Sequence, residues 1–450
     1  MYNEKKTSGP AITRREFVQT ATAAGLLMTM PAWAQEPAAE SQPVPELAVG
    51  IIGFGSQGME LVKFCLKIPG VRFAAVCDIW SYRQRYASNL LKKYDQPVNV
   101  YEDYREMLDK ERDLDAVIVA TPDWMHAEQT IACLKAGLPV YCEKEMSNTI
   151  AAARSMVVAA RETGKLLQIG HQRRSSPRYW HALRMIEKDK ILGRITHTYG
   201  QWNRARLLEE GWPKGQEVPA ETLQRYGYDS MDEFRNWRWY RKYSGGPISD
   251  LGSHQVDVFN WFLKARPHSV LASGGLDYYT AQPGRDWYDN VMAIYEYETE
   301  PGLVRGFYEV LNTTSYGGFY EQFMGDEGSL VISDDGRTGY ITREVQAKRR
   351  EWEDEAAKIE QMGREAIELK VGETLTPEGK KDPEGERLAA ESQKDSRLLH
   401  LENFFNAVRG QGTLTCPPEI GFETCVSVLR VNEAVEAGRR IEYKPEEFVV

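Results

Sequence analysis

Residues 50–58, GIIGFGSQG, limit what this chain can fold into more than any other stretch. Gly53, Gly55 and Gly58 stand in G-x-G-x-x-G spacing, with the apolar run LAVGII before them and an amphipathic segment from Ser56 after. A near-continuous apolar run is the mark of a strand buried on both faces, which means a parallel sheet between helices. The three glycines then permit a tight turn, close approach of backbone to a pyrophosphate, and close helix–strand packing, with the phosphates at the helix N-terminus. The next apolar run, VRFAAVCD, ends in Asp78 about 20 residues on, where a carboxylate can bind a ribose 2′-hydroxyl. Gly53, Phe54, Gly55, Ser56, Gly58 and Asp78 are therefore the expected dinucleotide contacts. The carboxylate favours NAD over NADP, because it repels a 2′-phosphate. Arg83 is the countervailing charge, read as a surface helix residue.

The same rhythm continues. The strand-like runs LDAVIVATP, PVYCEK and KLLQIGHQ alternate with the helical runs HAEQTIACLKAG and TIAAARSMVVAARETG. After about residue 200 it changes: HSVLASGGLDYY, NVMAIYEYET, LVRGFYEVLN and GSLVIS follow one another with turn signals between, as in a mostly antiparallel sheet. The fold class predicted is α/β, with an N-terminal Rossmann domain over 47–170 and an α+β domain over 171–450 that carries a mostly antiparallel sheet. A charged insertion is expected near 344–397, beginning with a helix over REVQAKRREWEDEAAKIEQMGREA. At 450 residues the chain exceeds what one core normally organises, in keeping with two domains.

Chemistry is expected where strands end. Thr121 and Pro122 close one strand and line the nicotinamide side of the cleft; His126, in the helix that follows, is either a packing residue or a cofactor contact. Lys144 stands between Glu143 and Glu145 at the next strand end, placed to hold a substrate oxygen and assist proton transfer. Asp250, His254 and Asp257, spaced i, i+4 and i+7, fall on one helical face, and a histidine oriented by Asp250 can take a hydroxyl proton. Asp257 is open between a structural role and a substrate contact. Trp237, Trp239, Tyr240 and Tyr243 stand among arginines, either as an aromatic core or as a wall on which sugar rings stack.

The chain opens with TRREFVQTATAAGLLMTMPAWAQ: a charged start, an apolar run of roughly fifteen residues and an A-x-A site at Ala32 and Ala34, the pattern of a cleaved leader. Arg14 and Arg15 resemble the twin-arginine (Tat) export signal, so residues 1–34 are expected to be a Tat signal peptide, 35–46 a linker, and the protein periplasmic or otherwise exported. Folding precedes export on that route, which gives reason to expect a tightly bound NAD. A net charge of −10 argues against nucleic-acid partners. Cys65, Cys77, Cys133 and Cys142 fall in apolar patterns and read as buried thiols; Cys416 and Cys425 are near enough in sequence to pair. No CxxC or histidine-rich spacing suggests a metal.

The glycine fingerprint, ATP followed by His126, EK at the strand end and GG…D-x-G-x-H-x-x-D together resemble the Gfo/Idh/MocA oxidoreductases across nearly the whole chain after the leader. The resemblance implies a Rossmann domain joined to an open-sheet α/β domain, NAD or NADP as cofactor, a sugar, polyol or related carbinol as substrate, and a homo-oligomer formed through the C-terminal sheet. It matches Lys144 to the family's E-K-P lysine, and Asp250 and His254 to its D-x-x-x-H pair. It also makes Arg173 and Arg174, in HQRRSSPRYW, either cleft contacts or interdomain ion pairs. One departure stands out: Glu145 occupies the position of the family's proline, where it could tune the lysine or bind a substrate hydroxyl. Besides a carbinol oxidoreductase, two other functions fit these residues: a redox-neutral glycosidase working through a transient keto-sugar, and a non-catalytic sugar- or dinucleotide-binding protein.

Overall fold

The computed structural model describes residues 44–205, 209–281, 284–361, 363–371, 374 and 383–450. The leader expected over 1–34, and nearly all of the linker expected after it, lie outside the described residues.

From Pro45 to Val450 the chain forms one compact unit around two sheets. The first has six parallel strands, β1 (Leu47–Ile52), β2 (Val71–Cys77), β3 (Asn99–Tyr101), β4 (Ala116–Val119), β5 (Val140–Cys142) and β6 (Leu167–Ile169), in the order β3-β2-β1-β4-β5-β6. Order reverses between β1 and β4, and the crevice at such a switch point is where open α/β sheets take their ligands. The turn after β1 explains its glycines. Gly53 has φ +90°, and a Cβ on Gly58 would sit 2.1 Å from the Gly53 carbonyl oxygen, so helix Ser56–Cys65 packs this closely only because residue 58 has no side chain.

The second sheet has ten strands: β7 (Ile195–Asn203), β8 (Pro267–Gly275), β9 (Asn290–Thr299), β10 (Gly302–Leu311), β11 (Phe319–Gly325), β12 (Gly328–Ile332), β13 (Gly339–Arg343), β14 (Lys358–Gln361), β15 (Arg364–Glu368) and β16 (Ile441–Glu442). They run in the order β14-β15-β13-β12-β11-β7-β10-β9-β8-β16, antiparallel except for β7 against β10. Strand β7, ITHTYGQWN, lies near the middle of the sheet although its mixed polarity announces it poorly. Helix Ser253–Leu263 crosses it at Gly200, where a Cβ would meet the Phe259 ring at 2.9 Å.

The helix expected from residue 343 is not present; β14 and β15 form a hairpin there, turning at Gly363 with φ +72°. The run is rich in helix formers but lacks an apolar stripe at helical spacing. Pairing with β13 buries Ala366 and Ile367, and that tertiary gain overrides local propensity. All six cysteines are buried free thiols, so Cys416 and Cys425 do not pair.

Candidate functional site

A cavity of about 480 Å³ lies at the C-terminal ends of β1, β2, β4 and β5 and is closed by residues of the second sheet's domain. At its glycine end the backbone does the work. A Cβ on Gly55 would meet nothing within 4 Å, so the turn opens directly onto the cavity at that point. The Asp78 carboxylate accepts the Phe54 N–H at 2.7 Å through Oδ2 and the Trp80 N–H at 2.8 Å through Oδ1, fixing it as an acceptor on the cavity wall. Burial pushes its carboxyl up, against these two hydrogen bonds and the charges of Arg83 and Arg235. An open glycine cradle at a helix start beside an anchored carboxylate fits a dinucleotide. Phe54 contributes only backbone, since its ring is fully buried in the core, and Gly58 acts through packing rather than by facing the cavity.

The other end is assembled from side chains far apart in sequence. Lys144 Nζ donates to the Asp250 carbonyl oxygen and lies 3.7 Å from Asp250 Oδ1. Arg238 Nε bonds the same carboxylate at 3.1 Å, and Arg204 Nη2 is 3.6 Å from Oδ2. Burial opposes the Asp250 charge, yet Arg238, Lys144 and Arg204 together hold its carboxyl well below the usual range. His254 lines the same wall, its ring 5.3 Å from that of Trp202. Burial first, then Lys144 and Arg173, push its pKa well down, so the imidazole is neutral.

Asp250 thus does not orient His254; its carboxylate is committed to three cations. Residues Ile248–Gly252 wind as a wider π-turn that leads into helix Ser253–Leu263. Asp257 is not a substrate contact either. It is buried under Arg174, whose Nε reaches its two oxygens at 2.9 and 3.0 Å and whose Nη2 reaches Oδ1 at 2.8 Å, while Thr424 Oγ1 donates at 2.9 Å. Arg173 is buried likewise, bonded to Glu321. Between cleft contact and structural ion pair, both arginines are the latter, and it is Gln172 beside them that reaches the cavity.

Thr121, Pro122 and Glu143 line the cavity, and Ser56 does so beside Gly53 and Gly55. His126 does not. Its ring nitrogens lie 2.7 Å from the carbonyl oxygens of Glu145 and Thr121, bracing the ends of β4 and β5 from behind. Glu145 is fully buried off the cavity wall, so it binds no substrate hydroxyl; its Oε1 accepts the Met146 N–H at 2.8 Å, and the Lys144–Glu145 peptide is cis. Of the aromatic group, Trp237 lines the cavity; Tyr240 and Tyr243 pack into a buried cluster, and Trp239 touches only a side recess of about 30 Å³.

Several residues escaped sequence reasoning. Gln57 Nε2 donates to Glu143 Oε1 at 3.0 Å and ties the glycine turn to the end of β5. Asp123 opens helix Asp123–Lys135 inside the cavity, and burial pushes its carboxyl up to about 7. Its place directly after Thr-Pro at a strand end was the available signal. Trp202, Arg204 and Arg238 had none, because their approach depends on how the second sheet meets the first. The segment 209–243 also reaches across the Asp78 end of the cavity: Trp80 Nε1 donates to the Gln216 carbonyl, the Phe234 ring stands edge-on to Trp80 at 5.9 Å, and the Arg235 guanidinium lies 5.2 Å over it.

A Rossmann half with an open glycine cradle, sharing one cavity with a lysine and a neutral histidine, defines a dinucleotide-dependent oxidoreductase. The chain belongs to the Gfo/Idh/MocA oxidoreductase family: the family's NAD-binding Rossmann-fold profile matches residues 47–171, and its C-terminal alpha/beta domain profile matches 217–443. Among relatives, it is 36% identical over 231 residues to an inositol 2-dehydrogenase of Rubrobacter xylanophilus, a match covering 51% of this chain and 55% of that protein. It is 32% identical over 294 residues to inositol 2-dehydrogenase 2 of Saccharopolyspora erythraea, covering 63% of this chain and 72% of that one. The chain therefore spans little more than half the length of the first of these relatives. In fold it is similar to an oxidoreductase domain protein from Kribbella flavida, with TM-score 0.66 at 17% identity over 89% of this chain and 100% of that one.

Proposed function

We propose that this protein is an exported, NAD-dependent oxidoreductase that acts on a carbinol of a sugar, polyol or glycoside. The observation that carries the reading is the meeting of Lys144, Asp250 and His254 in the cavity that the glycine turn opens onto. NAD bound there would supply the hydride acceptor for the carbinol carbon. Lys144 spends one N–H on the Asp250 carbonyl and keeps others for the substrate oxygen. His254, neutral and buried, has a ring nitrogen free to take the hydroxyl proton. Asp250 stays ionised among its cations and fixes the lysine. Asp123, whose carboxyl burial pushes up to about 7, stands in the same cavity. The likeness to inositol dehydrogenases supports a polyhydroxylated substrate.

Asp78 supports NAD over NADP, and Asp78→Ala should narrow that preference; a native preference for NADP would overturn the assignment. The strap at 209–243 over the Asp78 end supports a retained cofactor. That favours a second reading, redox-neutral cleavage, in which one sugar hydroxyl is oxidised and later restored while the aglycone is eliminated. The twin arginines support export of the folded, loaded protein. The exposed apolar face formed by Leu271, Met292, Ile294 and Leu303 on β8–β10 supports assembly of copies through the sheet.

The test is to release and identify the nucleotide, then screen sugars and aryl glycosides for reduced-nicotinamide absorbance alongside product analysis. Hydride signal supports net oxidation, and aglycone release without it supports redox-neutral cleavage. Sugar binding with neither leaves a binding protein. Unimpaired export of Arg14→Lys/Arg15→Lys would remove the Tat assignment.

A further inference from the structure

We propose that the sugar oxidised in the cleft carries a carboxylate, which seats in the small recess beside Asp250. This rests on the reading of the cleft as the place where a sugar hydroxyl is oxidised. The recess, of about 30 Å³, has Arg204, Glu210, Arg235, Arg238, Asp250 and Leu251 in common with the cleft, so it opens off the catalytic end rather than the glycine end. Asp250 stands on both walls, and Lys144 Nζ lies 3.7 Å from its carboxylate on the cleft side. A group held in the recess therefore belongs to the same small molecule whose hydroxyl meets Lys144.

Charge carries the argument. Among the described residues the guanidiniums of Arg204, Arg235 and Arg238 line the recess against the carboxylates of Glu210 and Asp250. Arg235 and Glu210 pair with each other at 3.0 Å. The Asp250 carboxylate is shared by Arg238 Nε at 3.1 Å, Arg204 Nη2 at 3.6 Å and Lys144 Nζ at 3.7 Å. One carboxylate balances one of these cations, so positive charge is in excess. The excess stands in a nearly closed place, the Lys144 and Asp250 side chains being only 11% and 14% exposed, and a bound anion relieves it. The other carboxyls of the cleft do not: Glu143 is turned to Gln57 at the glycine end, and burial pushes Asp123 up to about 7, so at neutral pH it carries only part of a charge.

Arg238 is shaped for such an anion. Its guanidinium lies 4.3 Å over the Trp237 ring and its Nε is held by Asp250, which sets the plane and leaves the two Nη nitrogens as a fork that matches the oxygens of a carboxylate. Asn312 lines the recess as well and can add an amide donor. The volume selects the kind of anion, since it takes roughly two water-sized atoms: the oxygens of a carboxylate, but not the larger head of a sulfate or phosphate.

The test compares methyl glucuronide, galacturonide and mannuronide, each with its neutral methyl glycoside and that glycoside's 6-sulfate. Binding is measured by calorimetry on protein loaded with the reduced nucleotide, which takes no hydride, and turnover on protein loaded with NAD. For the configuration that binds best, Kd for the uronide should lie below that for the neutral glycoside by about tenfold or more, the worth of one charge-assisted fork, and kcat/KM should follow. The 6-sulfate, equal in charge but larger, should bind less tightly than the uronide. Arg238→Met and Arg204→Met should each bring the uronide and neutral Kd values close together, whereas a merely structural loss would weaken both alike. Equal Kd values for the wild-type pair, tighter binding of the neutral glycoside or the sulfate, a preference preserved in both variants, or no uronide bound at all would each overturn the proposal. Oxidation of neutral sugars with uronides ignored would do so while leaving the oxidoreductase reading intact. A uronide bound with the expected preference but neither oxidised nor cleaved would retain the recess and instead defeat the oxidoreductase reading.

Discussion

At the NAD-binding end of the cleft the chain presents mostly backbone: a turn at Gly53, an open Gly55, and a carboxylate held by two main-chain N–H groups. At the other end it presents side chains drawn from residues 123, 144, 204, 238, 250 and 254, whose positions depend on one another through charge. The first end is a local structure carried by the ends of two neighbouring strands, β1 and β2, and the turn between β1 and its helix. The second exists only once the two sheets have met. Substitutions at the first end should accordingly act on folding or nucleotide occupancy, and those at the second on turnover.

The largest effect is expected from Gly58→Ala, whose Cβ would fall 2.1 Å from a backbone oxygen that cannot yield. Little folded, nucleotide-loaded protein should result. Gly55→Ala is its control: the new methyl meets nothing within 4 Å, so thermal stability should hold while nucleotide occupancy falls. Equal loss of stability in both would remove the distinction between packing and cradle glycines.

Next in size is Arg238→Met, which takes from Asp250 the partner at 3.1 Å that does most to keep its carboxyl low. Turnover should fall by roughly ten- to a hundredfold with nucleotide still bound, and the acid limb of the pH–rate profile should move to higher pH as Asp250 becomes easier to protonate. An unmoved limb would show that Asp250 ionisation does not support the reaction.

The difference between the two ends also explains how far the sequence could be read. The glycine turn, Asp78 and the strand-end placement of Thr121 and Lys144 follow from local pattern, because the geometry is local. Arg173, Arg174 and Asp257 carry the same residue types as a cleft would, yet form buried ion pairs, and nothing in spacing distinguishes the two outcomes. Trp202 sits in a strand whose polarity hides it. Asp250 and His254 line one cavity as their spacing suggests, but the cations that claim the Asp250 carboxylate, Lys144, Arg204 and Arg238, come from segments that no local spacing links to it. The charge-rich run after residue 343 reads as helix until a strand edge is there to pair with it.

The smallest expected effect concerns Glu145, buried behind the lysine. Burial pushes its carboxyl up to about 8, whereas an unfolded glutamate titrates near about 4.3. Between these values the folded state holds the extra proton, so this group's contribution to stability falls as pH rises through the window and is fully lost above it. Glu145→Gln should leave Tm near that of the wild type at about pH 4, raise it by a few degrees at about pH 9, and flatten the slope between. An unchanged slope would mean that Glu145 is ionised in the folded protein.

If the two ends are separable, one holding nucleotide and the other moving the proton, then damage at the second must leave the first intact. Lys144→Met and His254→Ala, each purified and assayed for bound nucleotide and for turnover on the same preparation, decide the matter. The expected result is nucleotide occupancy equal to the wild type with turnover lowered by roughly two or more orders of magnitude in each. Near-normal turnover in either variant, or loss of nucleotide in step with loss of turnover, would show that the ends are not separate.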